Sequence, residues 1–357
     1  MKTRQQLHEF LVALQVELGL TGAVLSHVAG SARPVSAAVG WADVETAEPM
    51  RTWHRLLGAS IGKSFVGALC VKLSQSSVLG LDDKIGQWVG ERPWFTGLPG
   101  AEDITLTMLL NHSSGLQDHI YQPGYLEMRT RPDDLDWMAP HDDKIALVSG
   151  IPGRFAPGTG FNYTDTEYLI AGLIIERATG RAYYDLLRET FLEPLDLEFT
   201  SPSDRRRLTG LAAGYMVEND PFQRSGMANK VMRDGVLLYH PGNEWTGGGV
   251  VSNPQDLVVW AQRLYSGAVL GAEGTQAIMD AAIPEPLDLP WRRYGLGAME
   301  FESGGRLLYG HWGGMPGYSG LMCYAPTEDL AFALQVNATS FNVRKAQDEI
   351  YAFLAGA

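Results

Sequence analysis

The chain has 357 residues, 45% of them hydrophobic, with 28 Lys and Arg against 41 Asp and Glu and a formal net charge of -13. That length allows one large domain or two intimate ones with an ample core. The negative balance argues against a nucleic-acid groove or an anionic membrane surface as partner, and two cysteines, Cys70 and Cys323, set neither a disulfide framework nor a metal spacing.

Charge interrupts the apolar run that a leader would need in the first ten residues, and no later stretch is apolar for long enough to span a bilayer. A soluble, cytoplasmic protein is therefore expected. A first amphipathic helix is predicted over Arg4–Leu18, with Phe10, Leu11 and Leu14 inward. Two strands follow, Gly22–Val28 and Val35–Trp41, parted by Gly30 and Pro34.

The stretch Gly58-Ala59-Ser60-Ile61-Gly62-Lys63-Ser64-Phe65 admits three readings. A phosphate-binding loop needs four residues between its glycines, and Leu57 stands where the first should be. A nucleophile elbow fits Gly58-x-Ser60-x-Gly62, but no oxyanion loop of the HGGG type precedes it. In the third reading Ser60 and Lys63 open a helix. Ile61, Phe65, Leu69 and Leu73 recur every four residues, giving one apolar stripe. Positions i and i+3 share a helix face, so a hydroxyl and an amine meet there as a nucleophile with a base in reach. The plain alternative is that Ser60 caps the helix and Lys63 is solvated. Cys70 lies in this helix and is expected to be buried and inert.

From about residue 65 to 285 the chain is richer in helical periodicity and long loops, with Asn111 and Pro254 flanking helical runs. Tyr121, Tyr125 and Trp137 are candidate cleft walls, as is the stretch Gly214–Tyr239. His112, Asp118 and His119 offer a remote metallohydrolase reading. A rigid Pro/Gly loop, Ile151 to Asp165, leads into a helix that Gly180 stops. Thr164 and Glu167 fit a capping box there. Tyr163 either packs or shuttles protons, if Lys63 lowers its pKa.

The last part reads as a meander of strands near Tyr294–Phe301, Arg306–His311, Tyr318–Tyr324 and Leu330–Val336, closed by a helix over Asn342–Leu354. Strands at both ends without crossover helices imply one antiparallel sheet built from both termini. The expected division is a sheet domain of residues 1–64 and 286–357, a mostly helical region of 65–285, and an active-site cleft between them. His311-Trp312-Gly313-Gly314 falls at a strand end, where glycines let a substrate backbone approach and an N–H could pair with that of Ser60 as an oxyanion hole. The plain alternative is a hairpin end with a core Trp.

Ser60-x-x-Lys63, Tyr163-x-Asp165 and His311-x-Gly313, in that order, resemble the serine β-lactamase/penicillin-binding-protein superfamily. The nearer likeness is to the branch holding class C β-lactamases, D,D-carboxypeptidases, D-aminopeptidases and family VIII esterases. Leu109 to Leu116, Pro157-Gly158, Glu193 to Leu197, Gly247 to Ser252 and Gly310 to Tyr318 also agree. The resemblance implies an α/β (α+β) fold of the β-lactamase/transpeptidase type: a mostly antiparallel sheet, flanking terminal helices and a helical region. It implies Ser60 as acylated nucleophile, Lys63 and Tyr163 sharing the proton transfers, and the N–H groups of Ser60 and Gly314 as the oxyanion hole. Asp165, His311, Trp312, Gly313 and Tyr121 would face substrate.

Two departures bear on function. Many relatives have Asn where this chain has Asp165, and His311 stands where class C β-lactamases carry Lys. A neutral imidazole attracts a substrate carboxylate less than an ammonium does. The expectation is a cofactor-free serine hydrolase, with no metal, acting on small esters or amides, with acyl transfer as a second outcome. The alternative is a D,D-peptidase, D-aminopeptidase or weak β-lactamase, and a remote one is an inactive relative that only binds. Oligomeric state is not legible.

Overall fold

Thr3 starts the fold with a reciprocal cap: its hydroxyl accepts from the Gln6 N–H and the Gln6 side chain accepts from the Thr3 N–H. Helix α1 (Arg4–Leu18) follows and ends at Gly19 in the left-handed region. The computed structural model describes residues 2–129, 134–216, 228–284 and 291–356. Of the expected wall 214–239, residues 217–227 lie outside the described residues, as does the expected boundary at 285–286.

Nine strands among the described residues form one sheet: β1 (Gly22–Ala29), β2 (Val35–Asp43), β3 (Glu48–Pro49), β4 (Ile283–Pro284), β5 (Arg293–Tyr294), β6 (Met299–Ser303), β7 (Arg306–Met315), β8 (Tyr318–Ala325) and β9 (Leu330–Val336). Their spatial order is β3-β2-β1-β9-β8-β7-β6-β5-β4, and every pairing is antiparallel. The first and last strands join in the middle, with Ala23 opposite Val336 and Ala29 opposite Leu330. The sheet is thus built from both termini.

Residue alternation in β8 and β9 decides what each face carries. Leu321, Cys323, Phe332, Leu334 and Val336 point to the layer holding Leu7, Leu11 and Leu14 of α1 and Ile350 and Tyr351 of α5 (Val343–Ala355). Phe10, expected inward, is only half-buried and stacks on Phe353 at 4.2 Å. On the other face, Ala331 and Ala333 present small side chains to α4 (Pro254–Tyr265), which Asn253 caps. The middle of the chain therefore supplies more than a helical lobe. Besides α4 it contributes β4 to the main sheet and two strands, Val250–Ser252 and Ser201–Pro202, of a smaller sheet completed by Leu56–Leu57 from the N-terminal part.

Helix α2 (Lys63–Gln75) departs from the single-stripe expectation, for Lys63 through Val71 are all buried. It is a central helix, wrapped on every side. The expected strand Tyr294–Phe301 is broken for the same reason. Residues 295–298 turn in against α2, where a Cβ on Gly67 would strike the Leu296 carbonyl. Gly297, at φ 72°, donates to the Leu110 carbonyl at 3.2 Å. Helix α3 (Asp165–Thr179) packs beside α2, with Gly180 as its left-handed stop.

Candidate active site

Ser60 sits in a turn that two strands and a glycine hold in place. Leu57 pairs with Val251, and the Gly58 N–H donates to the Val250 carbonyl at 2.8 Å. Ala59 then takes φ 46°, a conformation that costs about 1–3 kcal/mol in a residue with a Cβ. The chain runs through a 3-10 turn, Ala59–Gly62, before α2 begins at Lys63. Ser60 therefore lies in the turn just ahead of the α-helix rather than in its first regular turn.

Lys63 is fully buried, and its Nζ spends three N–H groups on three acceptors. It donates to Ser60 Oγ at 3.1 Å, to the Gly247 carbonyl at 2.6 Å and to Asp165 Oδ1. Burial alone would lower its pKa. Attraction to Asp165 and then to Tyr163, with the hydrogen bond to Asp165, outweighs burial and raises it above the ordinary lysine value. Lys63 is an ammonium at neutral pH, in an ion pair whose carboxylate side chain is 16% exposed.

Tyr163 ends the Pro/Gly loop and stands beside this pair, with Lys63 Nζ 4.9 Å from the centre of its ring. Its hydroxyl is buried and close to Ser60 and Lys63, though it makes no hydrogen bond of good geometry. Burial pushes its pKa up to about 12, although Lys63 and Ser60 both pull it down. The phenol is therefore neutral at rest.

The capping box at α3 is only half formed. Thr164 accepts from the Glu167 N–H at 3.2 Å, but the Glu167 carboxyl turns away into the core. There it meets His112 Nδ1 and takes hydrogen bonds from the N–H and hydroxyl of Ser114. Burial drives Glu167 well above, and His112 well below, their ordinary pKa values. Both are neutral, and the carboxyl proton donates to Nδ1, which also accepts from the Thr164 N–H at 3.3 Å. The His112 ring packs 4.2 Å from that of Tyr163. Sequence spacing could not assign this pair, because 55 residues separate its members.

A cleft of about 230 Å³ opens beside Ser60, walled by Tyr163, Trp312, Gly314, Thr339, Phe341 and Val343. None of the described residues lining it is charged. A larger surface depression, of 420 Å³, lies at Arg188, Glu193, Asp196 and Ser201; it holds no member of the Ser60 cluster, so size does not make it the site. Phe341 and Thr339 were not expected, and the Thr339-Ser340-Phe341 run between the last strand and last helix is the only sequence trace of them. The Gly247 carbonyl was also missed, although Gly247-Gly248-Gly249 stood out as a motif.

Two expectations need correction, and the remote metallohydrolase reading finds no support. His311 is fully buried and does not line the cleft: Nδ1–H donates to the Trp312 carbonyl, leaving Nε2 to accept from the Tyr294 hydroxyl at 2.7 Å. Burial, then the nearby Lys63 charge, hold its pKa at about 3, so it supplies no cation for substrate. In an antiparallel strand its side chain faces away from that of Trp312, which does line the cleft. Tyr121 is 80% exposed and Tyr125 is buried against His119; neither of them, nor Trp137, borders the cleft. His112 turns to Glu167 while His119 turns to Thr166, so these imidazoles and Asp118 form no metal cluster.

A serine bonded to a buried lysine, set between an antiparallel sheet and a helical region, is the arrangement of the serine β-lactamase/penicillin-binding-protein superfamily. The chain belongs to the beta-lactamase family, whose sequence model matches residues 8–357. It is similar to a penicillin-binding protein of Bacillus subtilis, 26% identical over 297 residues that cover 79% of this chain and 60% of the relative. It is similar also to a D-aminopeptidase of Brucella anthropi, 26% identical over 287 residues that cover 78% of this chain and 49% of the relative. The chain thus spans roughly half of the length of such relatives. Its fold matches a D-amino acid amidase from Ochrobactrum anthropi SV3 complexed with D-phenylalanine, with TM-score 0.83, 24% identity, and coverage of 99% of this chain and 98% of that one.

Proposed function

We propose that this protein is a serine hydrolase that cleaves small amides of the D-amino acid amide or D-amino-terminal peptide class through a covalent acyl-enzyme on Ser60. Of the two substrate readings drawn from sequence, the relatives favour this alternative over simple esters as the natural substrate. The observation that carries the proposal is the triple engagement of Lys63 Nζ with Ser60, Asp165 and Gly247 at the edge of a cleft. A serine hydroxyl hydrogen-bonded to a buried lysine is a nucleophile with a base in reach once that lysine gives up a proton.

In this reading Ser60 Oγ attacks the amide carbon, and the N–H groups of Ser60 and Gly314 receive the carbonyl oxygen as it becomes an anion. Tyr163, neutral and lining the cleft, donates toward the leaving nitrogen. Water, an alcohol or an amine then resolves the acyl-enzyme. A second reading, esterase action on neutral acyl groups, is favoured by the uncharged cleft wall.

The test is turnover of D-amino acid amides, their L-enantiomers and p-nitrophenyl esters, with fluorophosphonate labelling of the protein. Labelling that disappears in Ser60→Ala, together with D-amide turnover above L-amide turnover, supports the proposal. Amide turnover that survives Ser60→Ala defeats it.

A further inference from the structure

Asp165 makes the Lys63 environment unlike a simple lysine base. Three N–H groups of Lys63 are committed to Asp165, Ser60 and Gly247. A primary amine carries three N–H groups only as the ammonium. Lys63 therefore has no lone pair for the Ser60 proton until it gives one of its own away. The neighbouring groups offer few destinations. Tyr163, Tyr168 and Tyr294 are neutral phenols, while His112 and His311 are buried neutral imidazoles whose Nδ1 atoms are engaged. Glu167 already holds its proton. Asp118 is a second buried carboxyl near Asp165, pushed up to about 8 by burial and then by the Asp165 charge, so it too is protonated at neutral pH. Asp165 alone is a carboxylate in direct contact with Lys63 Nζ.

We infer that Asp165 is the proton acceptor behind Lys63, so that Ser60, Lys63 and Asp165 work as a relay in which the carboxylate makes the amine a base. This rests on the serine-hydrolase reading above. As the Ser60 Oγ–carbon bond forms, the Oγ–H bond breaks and its proton passes to Lys63 Nζ. Lys63 has passed one proton to Asp165, and the carbonyl π electrons move onto the carbonyl oxygen. Charge is conserved: the ion pair becomes a neutral carboxylic acid beside an ammonium and an oxyanion. On collapse the carbon–leaving-group bond breaks. The leaving group is protonated from Lys63 or through Tyr163, which Lys63 recharges, and Asp165 returns its proton to Lys63. An amide side chain at position 165 accepts the Lys63 hydrogen bond but not the proton. Asp165 acts through Lys63 and is a positioning and proton-holding residue.

The experiment is the pH dependence of kcat/KM for the full chain on a p-nitrophenyl ester, compared among wild type, Asp165→Asn, Asp165→Ala and Asp118→Asn, with fluorophosphonate labelling in parallel. The reference is the acid limb of the wild-type profile. In Asp165→Asn the limb moves to alkaline pH by about one unit or more, since Lys63 must now lose its proton to solvent. Asp165→Ala loses about 10²–10⁴ in rate, and formate, a small carboxylate that fits the vacated space, restores at least about tenfold. Asp118→Asn keeps the wild-type limb. An unmoved limb in Asp165→Asn, a limb that moves in Asp118→Asn, or no formate rescue of Asp165→Ala each overturns the relay. Absence of Ser60-dependent labelling in wild type defeats the serine-hydrolase reading instead.

Discussion

Gly313 faces the carbonyl oxygen of Gly58, two residues before the nucleophile, so closely that a Cβ on Gly313 would run into that oxygen. The same Cβ would crowd Ala59 and Ile61. Strand β7 thus sets the height of the Ser60 turn by having no side chain at this point. Gly313→Ala must push back a turn whose Ala59 is already at φ 46°. The expected outcome is a loss of about 1–3 kcal/mol in stability, with a larger proportional loss of kcat than of folded fraction. Denaturant midpoints and kinetics on the same samples check it; unchanged kcat in a destabilised protein removes the link between β7 and the turn.

The Tyr163 hydroxyl is buried, lies close to Ser60 and Lys63 and makes no hydrogen bond of good geometry. A buried polar group so poorly met contributes little to stability, so Tyr163→Phe should leave the melting temperature nearly unchanged. Its catalytic effect is large by contrast. A lost proton donor lowers the rate by about 10²–10⁴. That contrast identifies a hydroxyl kept for chemistry, and thermal melts with steady-state kinetics separate the two effects.

Legibility in the sequence followed locality. Helices α1 and α5 and strands β1, β2, β8 and β9 carry their own periodicity and caps, so their expected ranges agree with the structure to within two residues. The clustering of Ser60, Lys63 and Tyr163 was readable as an ordered set of short motifs. What failed depends on contacts made at long range. Residues 295–298 have strand-like composition, but Leu296 meets Gly67 and Gly297 meets the turn at Leu110, which breaks the strand. Glu167 has the spacing of a capping residue and is drawn instead to His112. His311 stands in a motif that suggests substrate contact, yet strand alternation turns it into the core.

The Glu167 and His112 pair gives a pH prediction whose sign depends on the pH window, because the two groups are shifted in opposite directions. Glu167 has its pKa raised in the folded state, so the folded protein holds a proton that the unfolded chain releases above about 4.5. Its own contribution to stability declines as pH rises from 4.5, by at most about 1.4 kcal/mol per unit, but His112, held neutral in the folded state, contributes the opposite slope up to about 6.5, so the pair's net decline appears above that pH. Gln matches the protonated acid: its NH2 donates to His112 Nδ1 and its carbonyl accepts from Ser114. Glu167→Gln should fold, and its stability relative to wild type should rise with pH from 4.5 to 7 by up to about 1.4 kcal/mol per unit. Urea unfolding at several pH values measures it, and a variant with the wild-type slope assigns the slope to another group.

The cleft wall makes its own demand on substrates. Tyr163, Trp312, Gly314, Thr339, Phe341 and Val343 bring no cation, and Lys63 is neutralised by Asp165. The neighbouring cations on α5 are also engaged, Arg344 with Asp348 at 2.8 Å and Lys345 with Glu17 and Glu349. A carboxylate brought into this cleft loses water and meets no cation among the lining residues. Peptides ending in a free D-alanine carboxylate, and β-lactams, should therefore be turned over more slowly than the same peptide as its amide or methyl ester. A difference of about tenfold corresponds to about 1.4 kcal/mol of discrimination, a modest share of the cost of an unpaired charge at a partly wet site. Ser340→Lys places an ammonium on the rim and should narrow the gap by speeding the acid alone. Equal rates for acid and amide in the wild type would mean that the carboxylate sits outside this cleft, in solvent, and that the uncharged wall plays no part in selection.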